Sequence, residues 1–372
     1  MSMSSSTNQS KKITLSIIGS VGVPAKYGGW ETLVENIIEI LNKDFRIIVF
    51  CSSKSYKNKI TNYKGVELRY INLKANGIQS ILYDAISLYH SNKFADYTLI
   101  LGVSGAIFFP FLKRFNNKII INPDGLEWKR SKWNFFIKKF LKLSELISMR
   151  YSDIIVSDNI EIQNYILREY SLNSSFIAYG SDHVKKIKIT SYDTKHYKFL
   201  NKKYAFKVCR IEPENNISII LESFSTNNIL LVIVGNWSHS KYAVDLRKKY
   251  SKYKNIFLLD PIFNQNDLDL LRSNCYVYIH GHSAGGTNPS LVEAMRLSLP
   301  IIAFNSRFNV STTKSSALYF NNTKELNKIL FSLENIDLNN IASNLYNISK
   351  THYNWIQIAQ SYKNLILSDH NQ

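Results

Sequence analysis

Only three cysteines occur in the 372-residue chain, Cys51, Cys209 and Cys275. All lie in or beside apolar, strand-like runs, with no Cys-x-x-Cys and no even pairing. That excludes a disulfide framework and points to buried free thiols in a reducing compartment. Long apolar runs are missing too. Nothing approaches the ~18 residues of a membrane-spanning helix; Ala106 to Leu112, the most lipid-like piece, is brief and carries Pro110. After the polar opening Met1 to Lys12, the apolar run Ile13 to Ile18 is too short for a secretory signal. A cytosolic protein is expected.

Acidic residues are scarce beside basic ones, 28 against 46, which leaves a net charge of +18. Such a balance calls for an acidic partner: nucleic acid, an anionic membrane surface or a phosphorylated small molecule. Aromatic-basic platforms are sparse outside residues 129–142, which argues against nucleic acid. Metal-ligand spacings are lacking as well. Asp267 and Asp269 stand two apart in a helical pattern, where side chains diverge, and His280 and His282 have no further ligands in step with them. No Gly-x-Ser-x-Gly elbow offers a serine nucleophile. With hydrophobic residues at 45%, the chain is a folded protein long enough for two domains.

What is present is organised around His280 to Met295. The alternating run Cys275 to Ile279 reads as a buried strand, Gly285 and Gly286 as a loop, and Ser290 to Leu297 as a helix. Asn288 suits the helix cap and Pro289 its first position. The N–H groups of that first turn and the positive end of the helix dipole favour an anion such as a diphosphate. Glu293, one turn in, is placed to accept hydrogen bonds from a ribose diol. An ordinary strand-to-helix connection has the same pattern, so this stretch alone leaves both readings open.

The rest of the chain alternates strand and helix, which implies an α/β fold with parallel sheets and ligands beyond the carboxyl ends of the strands. Strand Ile13 to Ile18 leads through Gly28-Gly29 into a helix with Leu33, Val34, Ile37, Ile38 and Leu41 on one face. This loop lacks the GxGxxG and GxxxxGK[ST] spacings. Strands follow at Phe45 to Cys51, Val66 to Ile71, Tyr97 to Gly102 and Lys118 to Asn122, with helices at Ile78 to Ser91 and near Ala106 to Arg114. Asn122 to Trp128 then sets Asp124 and Glu127 beside Trp128, a candidate substrate loop. The basic, aromatic stretch Lys129 to Leu143 reads as a helix with Trp133, Phe136, Ile137, Phe140, Leu141 and Ser144 on one face. It suits an anionic membrane surface, or equally a core-facing helix with a solvated basic side.

Strand Tyr151 to Asp158, helix Ile160 to Glu169 and strand Ser175 to Tyr179 close the first half. A second alternating set begins at Lys203 and carries Arg210 at the carboxyl end of its first strand. The expected organisation is a disordered 1–11, an N-terminal Rossmann-like domain at 12–180, a linker at 181–203, a C-terminal Rossmann-like domain at 204–350, and a crossover helix and tail at 351–372. The final helix, Tyr353 to Leu367, is long enough to reach back.

Val208-Cys209-Arg210-Ile211 with Glu214-Asn215-Asn216, and Gly285 to Met295, resemble the two donor-site motifs of retaining GT-B glycosyltransferases of family 4. Gly22 to Thr32 and Asp124 to Trp133 resemble, more narrowly, the O-antigen and capsule rhamnosyltransferase branch with the DUF1972-type N-terminal domain. The resemblance covers nearly the whole chain from about Ile13. It implies a GT-B fold with two Rossmann-like domains facing a cleft. Arg210 would hold the donor diphosphate, and Gly286, Thr287, Asn288, Pro289, Ser290 and Leu291 would cradle the distal phosphate. Glu293 would bind ribose, Gly28 and Gly29 would close over the phosphates, and backbone around Pro261-Ile262-Phe263 would meet the base.

Two positions depart from the family pattern. The glutamate usual eight residues before Glu293 is Gly285, and the lysine usual five after Arg210 is Asn215. Asp124 stands where many relatives have a histidine near the donor sugar. The expected function is transfer of a hexosyl unit, L-rhamnose from dTDP-L-rhamnose, onto a lipid-diphosphate-linked saccharide at the inner membrane face, with retention and without a metal or other cofactor. Arg210, Glu293 and Asp124 are the expected catalytic residues, and Asp124, Glu127 and Trp128 the expected readers of sugar hydroxyls. The alternatives are a hexosyltransferase using a UDP- or GDP-sugar, a sugar-nucleotide epimerase, and a donor-binding scaffold without activity.

Overall fold

The computed structural model describes residues 12–26, 28–112, 117–123, 125–130 and 133–371. The chain packs as two compact units. One takes the residues up to Asn122, Ile147–Ile154 and those from Lys363; the other takes Pro123–Leu146 and Ile155–Tyr362.

In the first unit, β1 (Thr14–Ile18), β2 (Arg46–Ser52), β3 (Asn62–Tyr63), β4 (Val66–Ile71), β5 (Tyr97–Leu101) and β6 (Lys118–Asn122) run in the order β3-β4-β2-β1-β5-β6. All neighbours are parallel except the short β3, which is antiparallel to β4. Every residue of β1 and β5 is buried, as central strands covered on both faces require. The helix Gly29–Leu41 buries Leu33, Val34, Ile37, Ile38 and Leu41, the face its periodicity implies. The last helix, Trp355–His370, is divided between the units and joins the first from Lys363 onward. There Asp369 accepts from the Tyr97 hydroxyl at 2.7 Å and pairs with Lys118 at 2.7 Å, while Lys363 meets Asp44 at 2.7 Å.

The second unit begins with a parallel pair, β7 (Ile154–Ser157) and β8 (Ser175–Phe176), most of β7 lying within it. Its main sheet has six strands, β9 (Tyr204–Val208), β10 (Leu230–Val234), β11 (Ile256–Leu259), β12 (Val277–His280), β13 (Ile301–Phe304) and β14 (Leu318–Phe320), in the order β11-β10-β9-β12-β13-β14. All its pairs are parallel. From β9 the chain winds outward through β10 and β11, then returns to β12 and winds the other way. The winding therefore reverses between β9 and β12, the position at whose carboxyl strand ends sheets of this kind bind ligands. Ala205, Ile220, Leu221, Phe224, Leu231, Ile233, Val277 and Ile279 form the buried core beneath it.

Three stretches differ from the sequence reading. The helix expected from Lys129 is a single tight turn, Glu127–Lys129, followed by a helix at Phe135–Tyr151 that buries Leu141, Ser144, Glu145, Ser148 and Met149. Because that face runs on to Met149, Tyr151 ends the helix and does not start the next strand. The expected linker 181–203 holds the short helix Ser191–His196, closed by a Thr190/Asp193 capping box, and a turn, Lys198–Asn201, that buries Phe199 and Leu200. Elements this short carry too few turns for a helical period to emerge. The helix Leu338–His352, capped by Asp337, falls where the sequence offered no clear element.

Candidate functional site

The loops leaving β9 and β12 are tied side by side. Asn216 Nδ2 donates to the Gly281 carbonyl at 2.8 Å, and the Ser283 N–H donates to the Glu214 carbonyl at 2.9 Å. Asn215 is buried and bridges the two loops. Its Nδ2 donates to the Arg210 carbonyl at 2.9 Å, and its Oδ1 lies 3.1 Å from His282 Nδ1. Because Nδ2 is occupied by the carbonyl, Oδ1 faces the ring and His282 donates through Nδ1. Burial and the neighbouring Arg130, Arg210 and Lys207 push the His282 pKa down to about 3, so its ring is neutral. The Arg210 side chain is 44% exposed, with Nε 3.7 Å from Glu212.

The helix after β12 spans Pro289–Arg296, with Asn288 as cap and Pro289 in its first turn. Asn288 Oδ1 accepts from the Ser290 N–H at 3.1 Å and from the Ser290 hydroxyl at 2.8 Å. The Leu291 N–H donates to the Asn288 carbonyl, and Pro289 has no N–H to give. These bonds satisfy the helix start internally, so its attraction for an anion rests on the dipole. The Thr287 N–H is likewise engaged, by Asp158 Oδ2 at 3.0 Å, and the Thr287 hydroxyl donates to the Asp158 carbonyl. Gly285 has φ of +109°, where side chains are strained, and Gly286 lies against Asp158.

A Cβ on Gly286 would fall 1.9 Å from Asp158 Oδ1. Gly286→Ala is therefore expected to push Asp158 off the Thr287 N–H and to lower stability by about 1–3 kcal/mol, the usual range for overpacking. Urea denaturation measures this; an unchanged midpoint would mean that the loop yields without loss.

Glu293 is partly buried and held from two sides. Fully buried Arg272 donates through Nη1 to Glu293 Oε2, and His183 Nε2 lies 3.2 Å from Oε1. Arg272 also pairs with buried Asp269 at 2.9 Å. His183 Nδ1 accepts from the Trp355 indole N–H at 3.1 Å, which leaves Nε2 as the protonated nitrogen facing Glu293. Burial works against the Glu293 charge, but Arg272 and then His183 outweigh it and hold the pKa down to about 2. Sequence reading assigned Asp269 no role and did not single out Arg272, His183 or Trp355. Asp267, by contrast, is exposed.

The second unit also carries the loop 125–130. Glu127, expected to read a hydroxyl, has Oε2 at 2.7 Å from Arg130 Nε and Oε1 accepting from Trp133 Nε1 at 3.1 Å. Trp128 donates to Glu145 Oε2 at 3.1 Å. Both side chains are thus engaged in holding the loop. Asp124 and the first eleven residues lie outside the described residues. Gly28 and Gly29 belong to the first unit: Gly28 has φ of +120° and Gly29 opens its helix. In the loop after β11, Pro261 and Ile262 are half-buried and Phe263 is exposed. A pocket of about 260 Å³ lies beside the glycine loop, lined by Leu126, Lys129, Ser283, Gly285, Arg307 and Phe308 among others.

Among the described residues no group of three or more His, Cys, Asp or Glu could hold a metal ion, and no helix is long and apolar enough to cross a membrane. The three cysteines are free thiols, Cys51 and Cys275 buried and Cys209 partly so.

Residues 12–182 match the family "Domain of unknown function (DUF1972)", and residues 189–336 match "Glycosyl transferases group 1". No curated protein matches the sequence. Among solved structures, the chain is similar to a sucrose-phosphate synthase from Thermosynechococcus elongatus, at 13% identity over 97% of this chain and 100% of that one, with a TM-score of 0.79. It is similar to HepE of Anabaena in complex with UDP-glucose, at 12% identity over 96% of this chain and 100% of that one, with a TM-score of 0.74. A glycosyltransferase from Rickettsia africae is similar at 14% identity over 96% of this chain and 98% of that one, with a TM-score of 0.68. The chain thus carries a match to the DUF1972 family followed by a match to glycosyl transferases group 1, on the GT-B fold of two Rossmann-like parallel sheets.

Proposed function

We propose that the protein is a glycosyltransferase that moves a hexosyl unit, L-rhamnose from dTDP-L-rhamnose, onto a lipid-diphosphate-linked saccharide in the assembly of a bacterial surface polysaccharide. The observation that carries the reading is the pair of strand-end loops at the winding reversal. They are bonded to each other; one carries Arg210, and the other leads into the helix Pro289–Arg296, which holds an ionised Glu293. In this reading Arg210 and the helix dipole meet the diphosphate, and Glu293 accepts from a ribose hydroxyl. Charge building on the departing diphosphate is stabilised by groups already in place, an effect typically worth several kcal/mol of barrier. The rhamnosyl choice, retention and independence from metal rest on the motif resemblance, and Asp124 is assigned there to sugar recognition.

The acceptor side of the proposal rests on the helix Phe135–Tyr151. Phe135 and Phe136 are 64% and 80% exposed, Leu143 is exposed further along, and Lys138 and Lys139 flank them. Apolar rings among lysines suit an anionic membrane surface, where a lipid-linked acceptor resides.

Thermal shift with dTDP-L-rhamnose, UDP-glucose and GDP-mannose near millimolar concentration tests the donor. A ligand at ~100 times its dissociation constant adds about 2.7 kcal/mol of stability. Selective stabilisation by dTDP-L-rhamnose is expected. Selectivity for another donor would replace the sugar and keep the reaction class, and no response to any would count against a nucleotide-sugar enzyme.

A further inference from the structure

The donor site as drawn is short of positive charge. A diphosphate is doubly charged, yet the residue five after Arg210 is the neutral Asn215, and its amide is spent bridging the Arg210 carbonyl to His282. Asn215 brings no charge to the site. Two cations that the sequence reading passed over lie around the same histidine. Lys207, on β9, is 1% exposed, and no hydrogen-bond acceptor or carboxylate partner is found for it among the described residues. Arg130 is 7% exposed and, with Arg210 and Lys207, holds the His282 ring neutral.

The setting of Arg130 is built. A Cβ on Gly125 would lie only 2.1 Å from Gly285 Cα, so the segment that carries Arg130 is seated directly on the glycine loop. Glu127 fixes Arg130 through Nε at 2.7 Å and is itself held by the Trp133 indole. With Nε pinned, the two terminal nitrogens form a planar fork of fixed direction, the arrangement that binds phosphate oxygens in pairs.

We propose that Arg130 is a second phosphate-binding arginine of the donor site, supplying the charge that Asn215 does not. The proposal rests on the nucleotide-sugar reading above. Glu127 and Trp133 then act as positioning residues.

Calorimetric titration of the full chain with dTDP and UDP, and with thymidine and uridine as phosphate-free probes, tests this. Arg130→Ala is expected to weaken diphosphate binding at least tenfold while leaving nucleoside binding near that of the unaltered protein. Arg130→Lys, which keeps the charge and loses the fork, is expected to fall between them. Glu127→Gln, which leaves Arg130 in place without its clamp, is expected to weaken diphosphate binding by a smaller factor. Undiminished diphosphate binding by Arg130→Ala would overturn the proposal alone. Equal loss of nucleoside and diphosphate binding, with a lowered melting temperature, would overturn it in favour of a purely structural arginine. An unaltered protein that binds no nucleoside diphosphate would overturn the transferase reading and this one with it.

Discussion

Replacement of Arg210 by alanine is expected to cut turnover by about two orders of magnitude or more, with little change in stability. The side chain is 44% exposed, and its ion pair with Glu212, at 3.7 Å, is loose. Pairs of this kind contribute roughly 0–1 kcal/mol to folding. Steady-state kinetics together with a melting curve separate the two effects. Near-normal turnover by a folded Arg210→Ala protein would remove the diphosphate contact from the account. Glu293→Ala, which on sequence grounds would be the matching experiment, is less clean in the structure. It also strips a partner from fully buried Arg272, so lost activity would be mixed with lost stability. Glu293→Gln keeps the shape and is the better companion.

The second large effect is on folding. Arg272 is completely buried between Asp269 and Glu293 and lies in the second unit. Arg272→Met fills similar space but leaves two carboxylates without their counter-charge. Removal of one partner from a buried ionic group typically costs about 3–5 kcal/mol, because desolvation of the remaining charges is no longer offset. The variant is expected to lose about that much stability in urea denaturation, and its Glu293 to lose the charge that orients it. A loss below about 1 kcal/mol would show that His183 and solvent suffice to hold Glu293.

The fold was legible because both sheets are parallel and buried, so each strand appears as a short apolar run and each helix as a one-sided pattern. Strands such as β4 and β6 fall at the expected residues, and the helix cap at Asn288 and Pro289 follows from local chemistry. The loops that carry Arg210 and Gly285 could be anticipated as strand-end loops. Their mutual bonding could not, since Asn216 and Gly281 are 65 positions apart. The same distance problem concealed the support for Glu293. Periodicity says that Arg272 faces inward on its helix, but not that a glutamate 21 residues later and a histidine from the supposed linker complete its surroundings. The surroundings of Glu127 were hidden for a related reason. A carboxylate in a loop looks available for a hydroxyl until Arg130 and Trp133 are found on its two oxygens.

The central claim is sugar transfer, and the most direct test follows both substrates at once. Purified protein is incubated with dTDP-L-rhamnose and a lipid-diphosphate-linked saccharide in anionic vesicles; mass spectrometry reads the acceptor, and proton NMR reads the donor and the new anomeric centre. The account predicts release of dTDP only when the acceptor is present, a gain of one deoxyhexosyl unit, and the same anomeric configuration in product as in donor. An unchanged acceptor beside an intact donor, or a donor converted to an isomeric sugar nucleotide without acceptor, would contradict it.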